Sequence, residues 1–294
     1  MSSSQTPRGR RWPSVVAAVV IAVALAGLVV AVTLNRADWL DRGSGATAAP
    51  TSTPPPGTTT PTGTTPPATS TPPTTTPPPP GVPDALRGQD LETLPTTDLV
   101  VALTFDAGAN ADGLESILAT LAAEDVPGTF FVTGQFAESF PDDVAAIAAD
   151  GHRLGNHSDT HPAFTTLSDA AIRDEVTRAE TAIQAAGADP RPLFRFPLGD
   201  RDARTIAAVN DLGYVAVRWT VDTLGWQGTS GGRSVQEVVD RTVGGLRPGE
   251  IVLMHAGSHP DDGSTLDADA LPEVIAQLRA AGYTFVSLDV LVQV

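Results

Sequence analysis

The chain has 294 residues, with 34 acidic against 18 basic side chains, no cysteine and a formal net charge of −16. That balance excludes a nucleic-acid binder, because no surplus of cations is available to neutralise phosphates. The lack of cysteine excludes disulfides, thiolate metal sites and a cysteine nucleophile, so any metal must be held by histidine, carboxylate, carbonyl or water.

Residues 1–14 carry Arg8, Arg10 and Arg11, and Val15 to Leu34 follow as twenty residues without a charge. At ~1.5 Å rise per residue such a helix is ~30 Å long, the thickness of a bilayer core. The arginines predict a cytoplasmic N-terminus, a single-pass anchor over 15–34 and an extracellular C-terminal bulk at the cell membrane. A cleaved secretory signal, using Ala46-Thr47-Ala48, is the alternative; its apolar region usually spans only ~7–15 residues. Residues 35–96 read as a disordered Thr/Pro-rich linker, of which Thr71 to Pro80 is typical. Such composition cannot bury enough apolar surface to offset its ordering entropy.

From residue 97 to 294 the pattern is globular, and still acidic, with 29 acidic and 12 basic residues from Asp98 onward. Leu99 to Phe105, Thr129 to Val132 and His152 to Leu154 read as strands. Helical patterns lie at Leu114–Leu121, Val144–Ala149 and Ser168–Ala186, the last with Ser168 as N-cap and Gly187 past its end. The alternation continues through Leu193–Phe196, Ala203–Leu212, Tyr214–Val221, Val235–Leu246, Ile251–Met254, Leu271–Ala281 and Thr284–Leu291. Short apolar strands between helices predict a parallel sheet covered on both faces. Seven or eight units favour an α/β fold of distorted (β/α)7–8 barrel type over an open doubly wound sheet.

In such a barrel the reactive side chains stand where strands end. Asp106, the pair His157 and His161, Arg195, Asp222 with Trp226, and His255 all fall at such ends. Two imidazoles four residues apart share a face if the stretch makes a helical turn, and could then hold one cation with oxygen ligands completing it. Each residue also has a plainer reading. Asp106 could cap the next helix, His255 could be a hydrogen-bonded core histidine, and Trp226 could pack in the core. Arg195, inside Leu193-Phe194-Arg195-Phe196, needs a carboxylate partner once desolvated, and Asp106 is the natural one. No Gly-x-Ser-x-Gly elbow marks a serine esterase.

These residues resemble the NodB-homology polysaccharide deacetylases over residues 97–294, through five ordered motifs. They are Thr104-Phe105-Asp106-Ala107-Gly108, His157-Ser158-Asp159-Thr160-His161, Arg195-Phe196-Pro197-Leu198-Gly199, Asp222-Thr223-Leu224-Gly225-Trp226 and Leu253-Met254-His255. The resemblance implies a divalent metal, zinc in most members, on His157 and His161. It implies Asp106 as base held by Arg195, the Leu198 N–H at the oxyanion, and His255 as acid. Trp226 and Leu253 would wall the acetyl pocket, beside Asp222. The substrate implied is an N-acetylated cell-wall glycan, peptidoglycan or chitin-like, with acetate as product. The same chemistry would serve an O-acetyl esterase, and a glycan-binding module without turnover could use the same cleft. The sequence fixes no oligomeric state, and a monomeric head is expected.

Two positions depart from the family pattern. Ala107 stands where the third metal ligand, an aspartate, is usual, and Gly225 stands where an aspartate usually orients the histidine acid. On sequence grounds His255 should then be less readily kept protonated. Asp112, Asp159, Asp200 and Asp222 are the carboxylates near enough in sequence to compensate.

Overall fold

A computed structural model describes residues 82–292. The expected basic N-terminus, membrane anchor and linker up to residue 81 lie outside the described residues. Among the described residues no helix is long and apolar enough to cross a membrane.

Eight strands build one sheet: β1 (Val100–Ala107), β2 (Gly128–Val132), β3 (Arg153–Asn156), β4 (Leu193–Phe194), β5 (Val215–Ala216), β6 (Val221–Asp222), β7 (Glu250–His255) and β8 (Thr284–Phe285). The helices are α1 (Leu114–Ala123), α2 (Gly134–Ser139), α3 (Pro141–Ala149), α4 (Asp169–Ala185), α5 (Ala203–Asp211), α6 (Val235–Gly244) and α7 (Leu266–Ala280). Every ladder between named strands is parallel, in the order β5-β4-β3-β2-β1-β7-β6, with β8 pairing the start of β1. This is the parallel α/β architecture that the alternating pattern predicts.

The ring is not closed by hydrogen bonds, because among the described residues no ladder joins β5 to β6. The expected single strand Tyr214–Val221 is in fact these two edge strands, joined by residues 217–220. The cause lies in Arg195: its guanidinium Nη2 donates to the Arg218 carbonyl at 2.9 Å, so that carbonyl serves a side chain rather than a neighbouring strand. The amide ends of the same connection reach the sheet, from Val217 to the Phe194 carbonyl and from Thr220 to the Ile251 carbonyl, each at 2.8 Å.

Strand alternation divides the core. Val101, Leu103, Phe105 and Ala107 face the outer helices, and pack with Ile117, Leu121, Val274 and Leu278. Ala102 faces the interior with Phe131, Val215 and Ile251, so Asp106, in the same phase, points inward as well. Val82 and Leu94 are buried in that inner cluster, and Leu91 and Thr93 form bridges to Val217 and Glu250. Residues 82–96 are therefore part of the domain, and the linker boundary expected at residue 96 falls too late.

Candidate active site

Asp106 is the penultimate residue of β1, not at a helix N-terminus; the residue capping α1 is Gly113. Its Oδ1 accepts from Arg195 Nη1 at 2.8 Å, and Arg195 is fully buried. The guanidinium is sandwiched, 4.1 Å from the Phe131 ring and 5.7 Å from that of Trp219. Burial by itself would raise the Asp106 pKa, but Arg195, His157 and His255 outweigh it and hold the carboxyl below its ordinary value. Asp106 is an ionised carboxylate with its second oxygen free of the arginine.

That oxygen, Oδ2, stands 3.4 Å from Nε2 of His157. On the other side of the ring, Nδ1 lies 2.9 Å from the Arg195 carbonyl, which can only accept. The proton is thereby assigned to Nδ1, and Nε2 of the neutral ring keeps a bare lone pair. Burial keeps it neutral, pushing the His157 pKa down to about 4 against the opposing charge of Asp106. One residue, Arg195, thus orients the Asp106 carboxylate through its side chain and the imidazole through its backbone. A histidine whose second nitrogen is tied to a carbonyl is the arrangement of a metal ligand.

His161 brings the second imidazole, its ring centroid 4.9 Å from that of His157 at an interplanar angle of 70°. The expected helical turn is absent. Ser158 and His161 have φ of 65° and 61°, and side chains take the amides that a helix would use. Asn156 Oδ1 accepts the Ser158 N–H at 2.9 Å, Ser158 Oγ the His161 N–H at 3.0 Å, and Glu175 Oε2 those of Asp159 and Thr160 at 3.0 and 2.8 Å. Glu175, projecting from α4, is the clamp of this loop. Desolvation and the charge of His255 lower the His161 pKa, against Asp106.

Together these side chains face a cavity of about 630 Å³, which His255, Asp222, Trp226, Leu198 and Leu253 also line. All the sequence-predicted site residues thus converge, with Arg195 directly behind Asp106. Trp226 is not a core residue; it is 49 % exposed at the rim. Leu198, 70 % exposed, has φ 58° in the turn after β4 and lines the cavity. His255 ends β7 in register with Asp106, across the cavity from the imidazole pair. Trp219, another lining residue, went unnoticed in sequence because it was assigned to a strand.

None of the four carboxylates expected to compensate joins the imidazole pair as a third ligand. Asp112 accepts from Ser258, Asp159 pairs with Arg178, Asp200 accepts from Thr165, and Asp222 Oδ1 accepts the Leu224 N–H. Ala107 packs in the outer apolar core. Among the described residues no set of three or more His, Cys, Asp or Glu side chains forms a metal cage. The donor set still fits a divalent cation held by two neutral imidazoles with oxygens of water or substrate beside them. His255, by contrast, does have a carboxylate neighbour. Burial alone would lower the His255 pKa, but Asp267, Asp106 and Asp222 raise it above its ordinary value. The sequence-based expectation of a less readily protonated His255 is overturned.

Comparison with known proteins decides the family. The polysaccharide deacetylase profile matches residues 93–217. A peptidoglycan-N-acetylglucosamine deacetylase of Bacillus cereus is 32 % identical over 200 residues, covering 68 % of this chain and 70 % of the relative. The chain belongs to the polysaccharide deacetylase family. A crystal structure of a peptidoglycan N-acetylglucosamine deacetylase superposes with a TM-score of 0.63 at 29 % identity, over 68 % of this chain and 91 % of the other. A Bacillus anthracis protein described as a CE4 family pseudoenzyme superposes with a TM-score of 0.60 at 29 % identity, over 66 % of this chain and 65 % of the other.

Proposed function

We propose that this polysaccharide deacetylase hydrolyses N-acetyl groups on cell-wall glycan, peptidoglycan or chitin-like N-acetylglucosamine units, releasing acetate and a free amine. The observation that carries the proposal is the single constellation around one cavity of ionised Asp106, neutral His157 with bare Nε2, and a His255 whose pKa nearby carboxylates raise. A divalent cation, zinc by preference for imidazole, would be held by His157 and His161 and would supply Lewis acidity toward the acetamide carbonyl and the attacking water.

The chain's own residues do the rest. Asp106, kept ionised by Arg195, takes a proton from the attacking water. The Leu198 N–H faces the oxyanion as the carbonyl becomes tetrahedral, and Pro197 has no such donor. His255 gives its proton to the departing amine, which makes expulsion of a neutral leaving group feasible. Leu253 and Trp226 form an apolar wall of a size for the acetyl methyl, and the exposed ring of Trp226 offers a face to a sugar.

Composition supports an envelope location: an uncharged span over 15–34 behind a basic N-terminus, and a Thr/Pro-rich stretch whose extended reach is ~3.1 Å per residue. We place the enzyme in the cell membrane, with residues 1–14 cytoplasmic and the catalytic domain outside. The test is acetate release by the zinc-supplemented full-length protein from N-acetylglucosamine oligomers and, in parallel, from O-acetylated xylan. Release from the oligomers, lost in Asp106→Asn, supports the proposal; release from xylan alone makes the protein an O-acetyl esterase. A second reading, glycan binding without turnover, rests on Ala107, which offers no donor to a metal. Oligomer binding with no acetate under zinc, cobalt or nickel would establish it.

A further inference from the structure

The glycine at position 225 looks like the loss of a functional carboxylate, but its surroundings say otherwise. A Cβ built on Gly225 would lie 2.6 Å from the carboxylate carbon of Asp267 and 2.9 Å from its Oδ2. Real Cβ atoms do not approach so closely, so the Asp267 carboxylate occupies the space that a side chain at 225 would take. Asp267 enters from the first turn of α7 and is only 3 % exposed.

Its oxygens are committed on two sides. Oδ1 accepts the Thr223 hydroxyl at 2.7 Å, and Oδ2 accepts the backbone N–H of His255 at 2.8 Å. The His255 ring stands over the same oxygen, with Nδ1 3.7 Å from Oδ2, buried and without a hydrogen-bond partner of its own. A buried carboxylate beside a buried, unpartnered ring nitrogen is a pair waiting to close, and catalytic hydrogen bonds are often long before substrate is bound. With Nδ1 turned to Asp267, Nε2 is the ring nitrogen left for the cavity.

We propose that Asp267 is the positioning residue of His255, delivering from α7 the carboxylate that position 225 does not carry. The glycine is then a consequence of the relocation: with Asp267 in place, only hydrogen fits at 225. The other titratable groups that face His255 are Asp106 from β1, Asp222 from the end of β6 and the imidazole of His161 from the loop after β3. Asp267 is the one among them that also bonds the His255 backbone, and so fixes ring and main chain together.

This inference rests on His255 being the acid of the proposed deacetylation, yet the pairing can be read without turnover. The experiment uses full-length protein with 15N-labelled histidine, comparing wild type, Asp267→Asn, Asp267→Ala and the swap Gly225→Asp/Asp267→Ala. In wild type Nδ1 is expected to carry the proton of the neutral ring. Asp267→Asn is expected to lower the pH at which the His255 ring titrates, and the swap to restore it. In the acetate assay Asp267→Asn should reduce kcat by roughly 10-fold or more with KM within about twofold, moving the alkaline limb of the rate profile to lower pH. The swap should recover most of that loss. An unchanged His255 titration in folded Asp267→Asn overturns the proposal, as does a swap no better than Asp267→Ala alone. If the titration shifts as expected but no variant or wild type releases acetate, the deacetylase reading fails while the pairing stands.

Discussion

Replacing Arg195 with methionine strikes at the residue on which the site depends. The variant keeps much of the apolar stem between Phe131 and Trp219 but leaves the Asp106 carboxylate buried without its guanidinium partner. Breaking a buried pair by removing one member costs ~3–5 kcal/mol, a large part of the ~5–15 kcal/mol that holds a domain folded. In wild type the Asp106 pKa is depressed below 3.8, so the pair's contribution is complete above that pH and is lost as pH falls through the depressed value. Without Arg195, the largest influence opposing burial is gone, so the carboxyl pKa moves up. The variant's stability must then fall as pH rises from 3.8 through the new value. Urea unfolding of both proteins at pH 4 to 7 reads this directly: the gap between them should widen with pH and reach ~3–5 kcal/mol at neutrality. A gap below about 1 kcal/mol at pH 7, or one independent of pH, would refute the reasoning.

Glu250 at the start of β7 is fully buried, has no partner for Oε1, and is pushed up to about 7 by burial against the pull of Arg247. Because the unfolded chain ionises first, near 4.5, stability should decline as pH rises from 4.5 to about 7 and then level off. Glu250→Gln should flatten that slope and raise stability at pH 8 by about 1–3 kcal/mol, as thermal melts across pH 5 to 8 will show. Trp226→Ala should change stability by less than ~0.5 kcal/mol, because the ring is half exposed, while raising KM for glycan oligomers several-fold.

Much of this was legible in the residues themselves. Uninterrupted runs such as Leu99 to Phe105 gave the parallel strands, and Ser168 and Gly187 bracketed α4: Ser168 Oγ accepts the Ala171 N–H at 3.2 Å, and Gly187 has φ 90°. The need of a buried guanidinium for a carboxylate gave the Arg195–Asp106 pair. What escaped was set by side chains that replace regular backbone pairing. The histidine loop is held by Asn156, Ser158 and Glu175, so it makes no helical turn, and the Tyr214–Val221 run breaks because Arg195 takes a carbonyl within it. Asp267 was hidden for a different reason. Proline favours the first turn, so Pro272 suggests a helix starting at Leu271, whereas α7 begins at Leu266 and carries the proline inside. The real first turn holds the carboxylate that meets His255, far in sequence from the position where one was sought.

The account turns on a nitrogen kept bare for a cation, and calorimetric titration of the metal-free, full-length protein with zinc at pH 7 tests it most directly. One zinc per chain is predicted, with uptake abolished in His157→Ala and retained in Asp267→Asn. Failure of the wild-type protein to take up zinc, or the same stoichiometry and affinity in His157→Ala, would contradict it.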